Sequence, residues 1–279
     1  MIMKNETAIV TGSTSGIGKK IVELFLREGC KVVICSRNED SVQKTVSEFQ
    51  EKFGDSVIGF TCDVTDVAAL KSIVDKTVGV LGSIRILVAN AGVNLTYGPF
   101  EYISPEKVAS DAQEVIGINL IGVMNSVAAV LSQMIKQGYG RIVTLSGGGA
   151  SRPLPHMTIY SASKGGVVTF SKCLAEEFKA REEDIKINIF HPGMIKTNLF
   201  KIAKVVDGWK DEDTYNRERS LVTEILATNI EKSCSKVIPY VLPSCKTSGK
   251  VFRGFSIWKM IRGGRKYQKV LKEMRKEQS

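Results

Sequence analysis

Short β-branched runs alternate with longer amphipathic runs from residue 6 to residue 257, and this alternation is the strongest constraint on the fold. "ETAIVTG" (6–12), "KVVICS" (31–36), "VIGFTCDV" (57–64) and "RILVANAG" (85–92) are largely apolar, with no alternating polar face. Between the first two, "IGKKIVELFLREG" (17–29) repeats apolar residues at Ile17, Ile21, Leu24 and Phe25 and closes on Gly29, as a glycine-stopped helix does. "SVQKTVSEFQEKFG" (41–54) sets Val42, Val46, Phe49 and Phe53 on one helical face, and 67–82 reads as helix. The pattern continues with a long helix over roughly 105–136, a strand at 141–147, a helix at 158–179, and strands at 185–193 and 249–257. Strands apolar on both sides must be covered on both sides. The expectation is therefore an α/β fold, a doubly wound parallel sheet between two helical layers in a single domain. That domain covers 1–258, with an irregular insertion at about 195–245 that forms a substrate lid, followed by a basic tail over 259–279.

The chain has 279 residues, 43% hydrophobic and 24% charged, which suits a soluble domain with a substantial core. "MIMKNETAIV" runs straight into the first strand without a cleavage site. The six cysteines (Cys30, Cys35, Cys62, Cys173, Cys234, Cys245) show no C-x-x-C spacing. They read as reduced thiols, not as a disulfide framework or a metal site, and the expected location is cytoplasmic. Residues 115–135 carry no charge, but Asn119, Asn125, Ser126, Ser132 and Gln133 are costly in lipid. That stretch is expected to be a buried helix, packed on the sheet or on a partner subunit, and not a membrane span. The net charge of +10 is concentrated at the end, where 259–279 holds eight Lys and Arg against two Glu. A basic tail can meet an acidic partner, or it can be a solvated helix. Few aromatics interleave with its charges, so nucleic acid is not an expected partner.

"TGSTSGIG" (11–18) joins the first strand to the first helix with Gly12, Gly16 and Gly18. Glycines allow a tight turn and a close approach of backbone to a pyrophosphate, which the helix N-terminus then attracts. Further along, "IYSASKGG" (159–166) places Tyr160 one helical turn before Lys164, on the same face. A free phenol has a pKa near 10, and an ammonium beside it would lower that value.

These motifs together resemble the classical short-chain dehydrogenase/reductase family, over about residues 4–200 and on towards 257. The resemblance also rests on "CDVTD" around Asp63, "NAG" at 90–92, "GINLIG" around Asn119 and "HPGMIKT" at 191–197. It implies a Rossmann-type fold and hydride transfer between a nicotinamide and a carbonyl or secondary alcohol. Tyr160 would be the general acid and base, Lys164 would tune it and hold the nicotinamide ribose, and Asn119 would hold a relay water. The same resemblance assigns cofactor contacts to Gly12, Ser13, Thr14, Ser15, Gly16, Ile17 and Gly18 of the turn. It extends them to Ser36 and Arg37, Asp63 and Val64, Asn90, Ala91 and Gly92, Tyr160 and Lys164, and Pro192, Gly193, Ile195 and Thr197. The family's serine donor after the fifth strand falls, by its usual spacing, on Gly147. Ser146 takes that role if the glycine-rich turn bulges by one residue, and Ser151 is the alternative.

The second strand ends in "ICSRN", with Ser36 where a carboxylate would repel a ribose 2′-phosphate and with Arg37 beside it. Arginine's planar fork suits a phosphate, so NADP(H) is preferred over NAD(H). Phe200, Trp209, Tyr215, Ile225 and Leu226 are expected to line the lid, with Thr96, Tyr97, Phe100 and His156 near the pocket. They suit a medium-sized or acyl substrate. Helix 115–135 and the Tyr160 helix are expected to pack in a homodimer or homotetramer. Two other readings are a non-catalytic dinucleotide-binding redox sensor and a sugar-nucleotide-modifying enzyme of the extended family.

Overall fold

In the computed structural model the apolar runs form a seven-stranded sheet in the order β3-β2-β1-β4-β6-β7-β9. The strands are β1 (Thr7–Thr11), β2 (Lys31–Ser36), β3 (Val57–Thr61), β4 (Ile86–Ala89), β6 (Tyr139–Leu145), β7 (Asp184–His191) and β9 (Val251–Arg253). Each pairing is parallel. The structure describes residues 1–150, 152–197, 199 and 203–277, with side chains through Leu271. Ser151 and Phe200 lie outside the described residues.

Side chains alternate between two apolar layers. Val10, Ile34, Val88 and Leu145 face α1 (Gly16–Arg27) and α2 (Glu39–Phe53). Ile9, Val33, Leu87 and Ile142 face α3 (Val67–Leu81), α5 (Gly122–Lys136) and α6 (Thr158–Glu177). This is the three-layer, Rossmann-type, single-domain α/β fold expected from the alternation. The chain runs outward from β1 to β3, then returns to β4 on the other side of β1 and runs outward again. The direction therefore reverses between β1 and β4, where the strands' carboxyl ends open a crevice suited to ligands.

The long helix expected over 105–136 is α4 (Pro105–Ile116), a π turn (Gly117–Ile121) and α5 in one continuous run. Length and composition alone would let it cross a membrane. Its Val115, Val123, Val127, Val130 and Met134 are buried, and it packs on α3, α6 and the sheet.

Two expectations about the C-terminal part are refined. The insertion is largely helical, with α7 (Glu212–Leu226), α8 (Ile230–Cys234) and α9 (Ile238–Val241), and a small strand β8 (Lys204–Val205) that pairs with β5 (Thr96–Tyr97). Asp211 and Asn229 cap the first two of these helices with their side chains. The basic tail is helix α10 (Ile257–Glu277), which lies on α7. A Cβ on Gly263 would meet Leu226 Cδ2 at 2.5 Å, so the glycine permits the close crossing.

Candidate active site

The glycine turn sits where the strand order reverses, and its fit to a dinucleotide can be tested atom by atom. A Cβ on Gly12 would meet Ala91 Cα at 2.8 Å, and one on Gly18 would meet Asn90 Nδ2 and the Gly12 carbonyl at 2.5 Å. Gly12 and Gly16 also hold φ of 62° and 53°, which disfavour any side chain. Asn90 braces the turn by donating from Nδ2 to the Thr11 and Gly12 carbonyls, both at 2.9 Å. The N-termini of α2, α3, α4, α7 and α8 accept a side-chain cap, whereas α1 has none and carries no acidic residue in its first turn. Its amides and its positive dipole end therefore remain available to an anion. These features fit a pyrophosphate.

Not every turn residue offers its side chain. Ser13 is fully buried; its hydroxyl donates to the Val10 carbonyl at 2.6 Å and accepts from the Cys35 amide at 3.0 Å. It ties the turn to β2, leaving only backbone for a ligand. Farther out, Thr14 Oγ1 donates to Ser36 Oγ at 3.3 Å, and Arg37 lies 3.9 Å from Asp63 Oδ2. Both members of that pair are solvated, so the contact holds the guanidinium weakly. Val64 packs against the Gly122 position. On the opposite side, a Cβ on Gly16 would meet Thr197 Cγ2 at 3.2 Å, which brings the 191–197 segment up to the turn. Ser233 anchors that segment by donating to the Pro192 carbonyl at 2.7 Å, and Ile195 is buried.

The chemistry-bearing residues gather at the end of β6. Tyr160 and Lys164 are both buried on α6, with Lys164 Nζ 5.8 Å from the phenol ring and donating to the Leu145 carbonyl at 3.2 Å. Gly147 lies under the phenol, since a Cβ there would meet Tyr160 Oη at 2.6 Å. Ser146 is buried and its hydroxyl has no hydrogen-bond partner among the described residues. In β6, Ile142 packs in the α6 layer and Thr144 shares a 2.8 Å hydrogen bond with Ser171 of α6.

The electrostatics differ from the sequence expectation. Burial pushes the Tyr160 phenol up to about 12 and the Lys164 ammonium down to about 8. The spacing predicts that the ammonium acidifies the phenol; burial instead sets the direction of both shifts. Asn119 also differs in detail. It is fully buried in the π turn, where Oδ1 accepts from the Val93 amide at 2.7 Å. Nδ2 donates to the Val93 carbonyl at 2.9 Å and to Ser163 Oγ at 3.1 Å. Both amide protons are committed, so the side chain clamps the loop after β4. A Cβ on Gly92 would fall 3.1 Å from Asn119 Oδ1 and 3.4 Å from Lys164 Nζ, which brings the NAG segment into this group.

An aromatic wall stands beside the site. Tyr97 packs on Tyr215 (5.1 Å), Trp209 (5.8 Å) and His156 (5.8 Å), and His156 lies 4.6 Å from Trp209. Burial and Lys210 hold the His156 imidazole below its usual pKa, against a smaller opposing pull from Glu218. The residue takes φ of 69°, unusual outside glycine. Phe100, expected near the pocket, is half exposed in a short turn. No sequence motif points to Thr228. Its amide donates to the Met194 carbonyl at 2.8 Å, and its buried hydroxyl lacks a partner among the described residues.

A family model described as short chain dehydrogenase matches residues 6–204. The very-long-chain 3-oxoacyl-CoA reductase of Homo sapiens is 36% identical over 201 residues, which are 71% of this chain and 62% of that one. The match thus spans less than two thirds of that reductase. A putative ketoacyl reductase of Streptomyces coelicolor is 35% identical over 70% of this chain and 72% of its own. Among solved structures, an actinorhodin polyketide ketoreductase variant with NADPH aligns with a TM-score of 0.76. Its sequence is 28% identical, and the alignment covers 91% of this chain and 97% of that chain.

Proposed function

The chain belongs to the short-chain dehydrogenase family, and from that membership we propose that it is an NADP(H)-dependent reductase of a carbonyl, with a 3-oxoacyl thioester as the substrate class. The observation that carries this reading is the buried Tyr160 phenol over Gly147, with the Lys164 ammonium and the unpartnered Ser146 hydroxyl around the end of β6. The 3-oxoacyl group follows the names of the human and Streptomyces relatives and the thioester the coenzyme A in the human one's name, and the aromatic wall suits an acyl chain.

When bound, the nicotinamide supplies a hydride to the carbonyl carbon. Tyr160 gives its proton to the carbonyl oxygen as negative charge develops there. Ser146 donates a hydrogen bond to the same oxygen and stabilises that charge. Lys164 sits beside the phenol with two N–H donors beyond the one given to Leu145, and it returns a proton to the phenolate. Asn119 holds the loop that carries Gly92. The α1 N-terminus cradles the pyrophosphate, while Ser36 and Arg37 select a 2′-phosphate. With its pKa pushed up to about 12, the phenol carries at neutral pH the proton that reduction of a carbonyl needs.

The same reading places the enzyme in the cytoplasm as a homodimer or homotetramer, paired through the outer faces of α5 and α6. Ile121, half exposed in the π turn, supports an apolar partner there. The test is a panel of ketones, sugars and acetoacetyl thioesters followed by NADPH absorbance. The account expects turnover with the thioesters. A protein that binds NADPH yet oxidises it with no carbonyl would be a nucleotide sensor and would overturn the reading.

A further inference from the structure

We propose that the cleft between α7 and α10 seats the phosphorylated nucleotide end of a coenzyme A thioester. This inference rests on the thioester reading above and adds a site that the catalytic machinery does not use. The cleft has a volume of about 500 Å³, within the range of small-molecule sites. Trp258, Lys259, Arg262 and Lys266 of α10 form one wall, and Glu224 and Ile225 of α7 contribute the other.

Three observations point to an anionic aromatic ligand. Lys259, Arg262 and Lys266 follow one another at helical spacing and share a face. Like charges at that spacing repel, and among the described residues Glu224 is the only carboxylate lining the cleft beside them. Arg262 and Lys266 make no ion pair with any described residue. Lys259 is already positioned, donating to the Ala227 carbonyl at 3.0 Å. Phosphates would offset this surplus through charge-assisted hydrogen bonds, and arginine would bind one bidentately. Second, Trp258 is 73% exposed beside those cations. An indole in that setting offers a stacking face for a purine. Third, both helices that form the cleft also reach the aromatic wall beside the catalytic residues. Tyr215 of α7 packs on Tyr97 of the aromatic wall. Tyr267 of α10 also lies close enough to act on Tyr97, whose phenol is pushed up to about 12, first by burial and then by Tyr267 and Tyr215. A thioester arm leaving the pocket past that wall would therefore reach α10.

A membrane surface is the competing occupant of a basic helix with an exposed tryptophan. The convergence of three cations and an indole on one cleft of about 500 Å³ favours a discrete ligand. The test compares acetoacetyl-CoA with acetoacetyl-N-acetylcysteamine, which lacks the nucleotide, in the unmodified enzyme and in Arg262→Glu/Lys266→Glu, at saturating NADPH. The ratio of kcat/KM for the two thioesters is expected to fall about tenfold or more in the variant. 3′,5′-ADP is expected to compete with acetoacetyl-CoA in the unmodified enzyme only. An unchanged ratio overturns the inference. So does charge-dependent binding to phosphatidylglycerol vesicles without any response to 3′,5′-ADP. If neither thioester is reduced, the functional reading fails, and direct titration of Trp258 fluorescence with 3′,5′-ADP still decides the cleft. Quenching lost in the variant supports the site; no quenching in either protein overturns it.

Discussion

Replacing Ser146 with alanine should move activity and stability in opposite directions. The hydroxyl is buried and has no hydrogen-bond partner among the described residues. Burying an unsatisfied polar group costs about 1–3 kcal/mol, and its removal relieves part of that cost. The void left is a single oxygen atom, so the cavity term is small. The variant should therefore unfold at the same urea concentration as the unmodified protein or a higher one, with a gain of about 0–1 kcal/mol. If Ser146 donates to the developing oxyanion, kcat should fall about 100- to 1000-fold, the usual loss for one such donor. Ser171→Ala is the control, because its hydroxyl is paired with Thr144 at 2.8 Å. That change should cost about 1 kcal/mol of stability with kcat nearly unchanged. Urea melts and NADPH-consumption kinetics on the three proteins are sufficient. A Ser146→Ala enzyme with full kcat would refute the role, and one destabilised by more than about 2 kcal/mol would show that the hydroxyl is bonded inside the fold.

Gly147→Ala places a methyl 2.6 Å from Tyr160 Oη, so the phenol must shift; kcat should drop about 100-fold while the NADPH dissociation constant, measured by fluorescence, holds. Lys164→Met removes an ammonium whose folded pKa, about 8, lies below its ordinary 10.5. The native state then binds fewer protons than the unfolded chain between those values, so this lysine's contribution rises with pH through that window. At pH 7 the methionine variant should be more stable by about 2 kcal/mol, after allowing ~1 kcal/mol for the Leu145 carbonyl that loses its donor. The gain should vanish in urea melts above about pH 10. Arg37→Ala should weaken NADPH binding roughly 10- to 100-fold and leave NADH binding unchanged, as titration of each nucleotide would show.

The parts of this protein that a sequence can announce are those set by local spacing. The two apolar layers follow from strands with no polar face. The turn at Gly12, Gly16 and Gly18 follows from backbone that tolerates no Cβ. Tyr160 and Lys164 are legible because one helical turn separates them. The side chains that converge from distant positions are not legible in this way. The sequence places Trp209 and Tyr215 in the lid and Tyr97 and His156 near the pocket, but their packing on one another depends on β5 pairing with β8 and on α7 folding back over them. The upward shift of the Tyr160 phenol is not legible, because a charged neighbour can be read from spacing, whereas depth of burial cannot. Ser13 looked available to a ligand, but its two internal hydrogen bonds appear only once β2 lies alongside. Arg141 is a further case. Nothing around it in sequence indicates complete burial, yet its guanidinium donates to the Asp184 carboxylate and to the Leu242 and Pro243 carbonyls, locking β6 to β7 and to the segment before β9. The charges of the tail are compatible with either an acidic partner or a solvated helix, and neither reading indicates that it packs on α7. The missing Cβ of Gly263 lets it lie flat on α7.

The most direct measurement is carbonyl-dependent NADPH oxidation by Tyr160→Phe, made alongside NADPH binding by the same preparation. The phenylalanine keeps the ring that packs at the end of β6 and removes only the proton donor. The account predicts nucleotide binding at the unmodified affinity and turnover lowered by at least about 100-fold. Turnover equal to that of the unmodified enzyme, with binding intact, would contradict it.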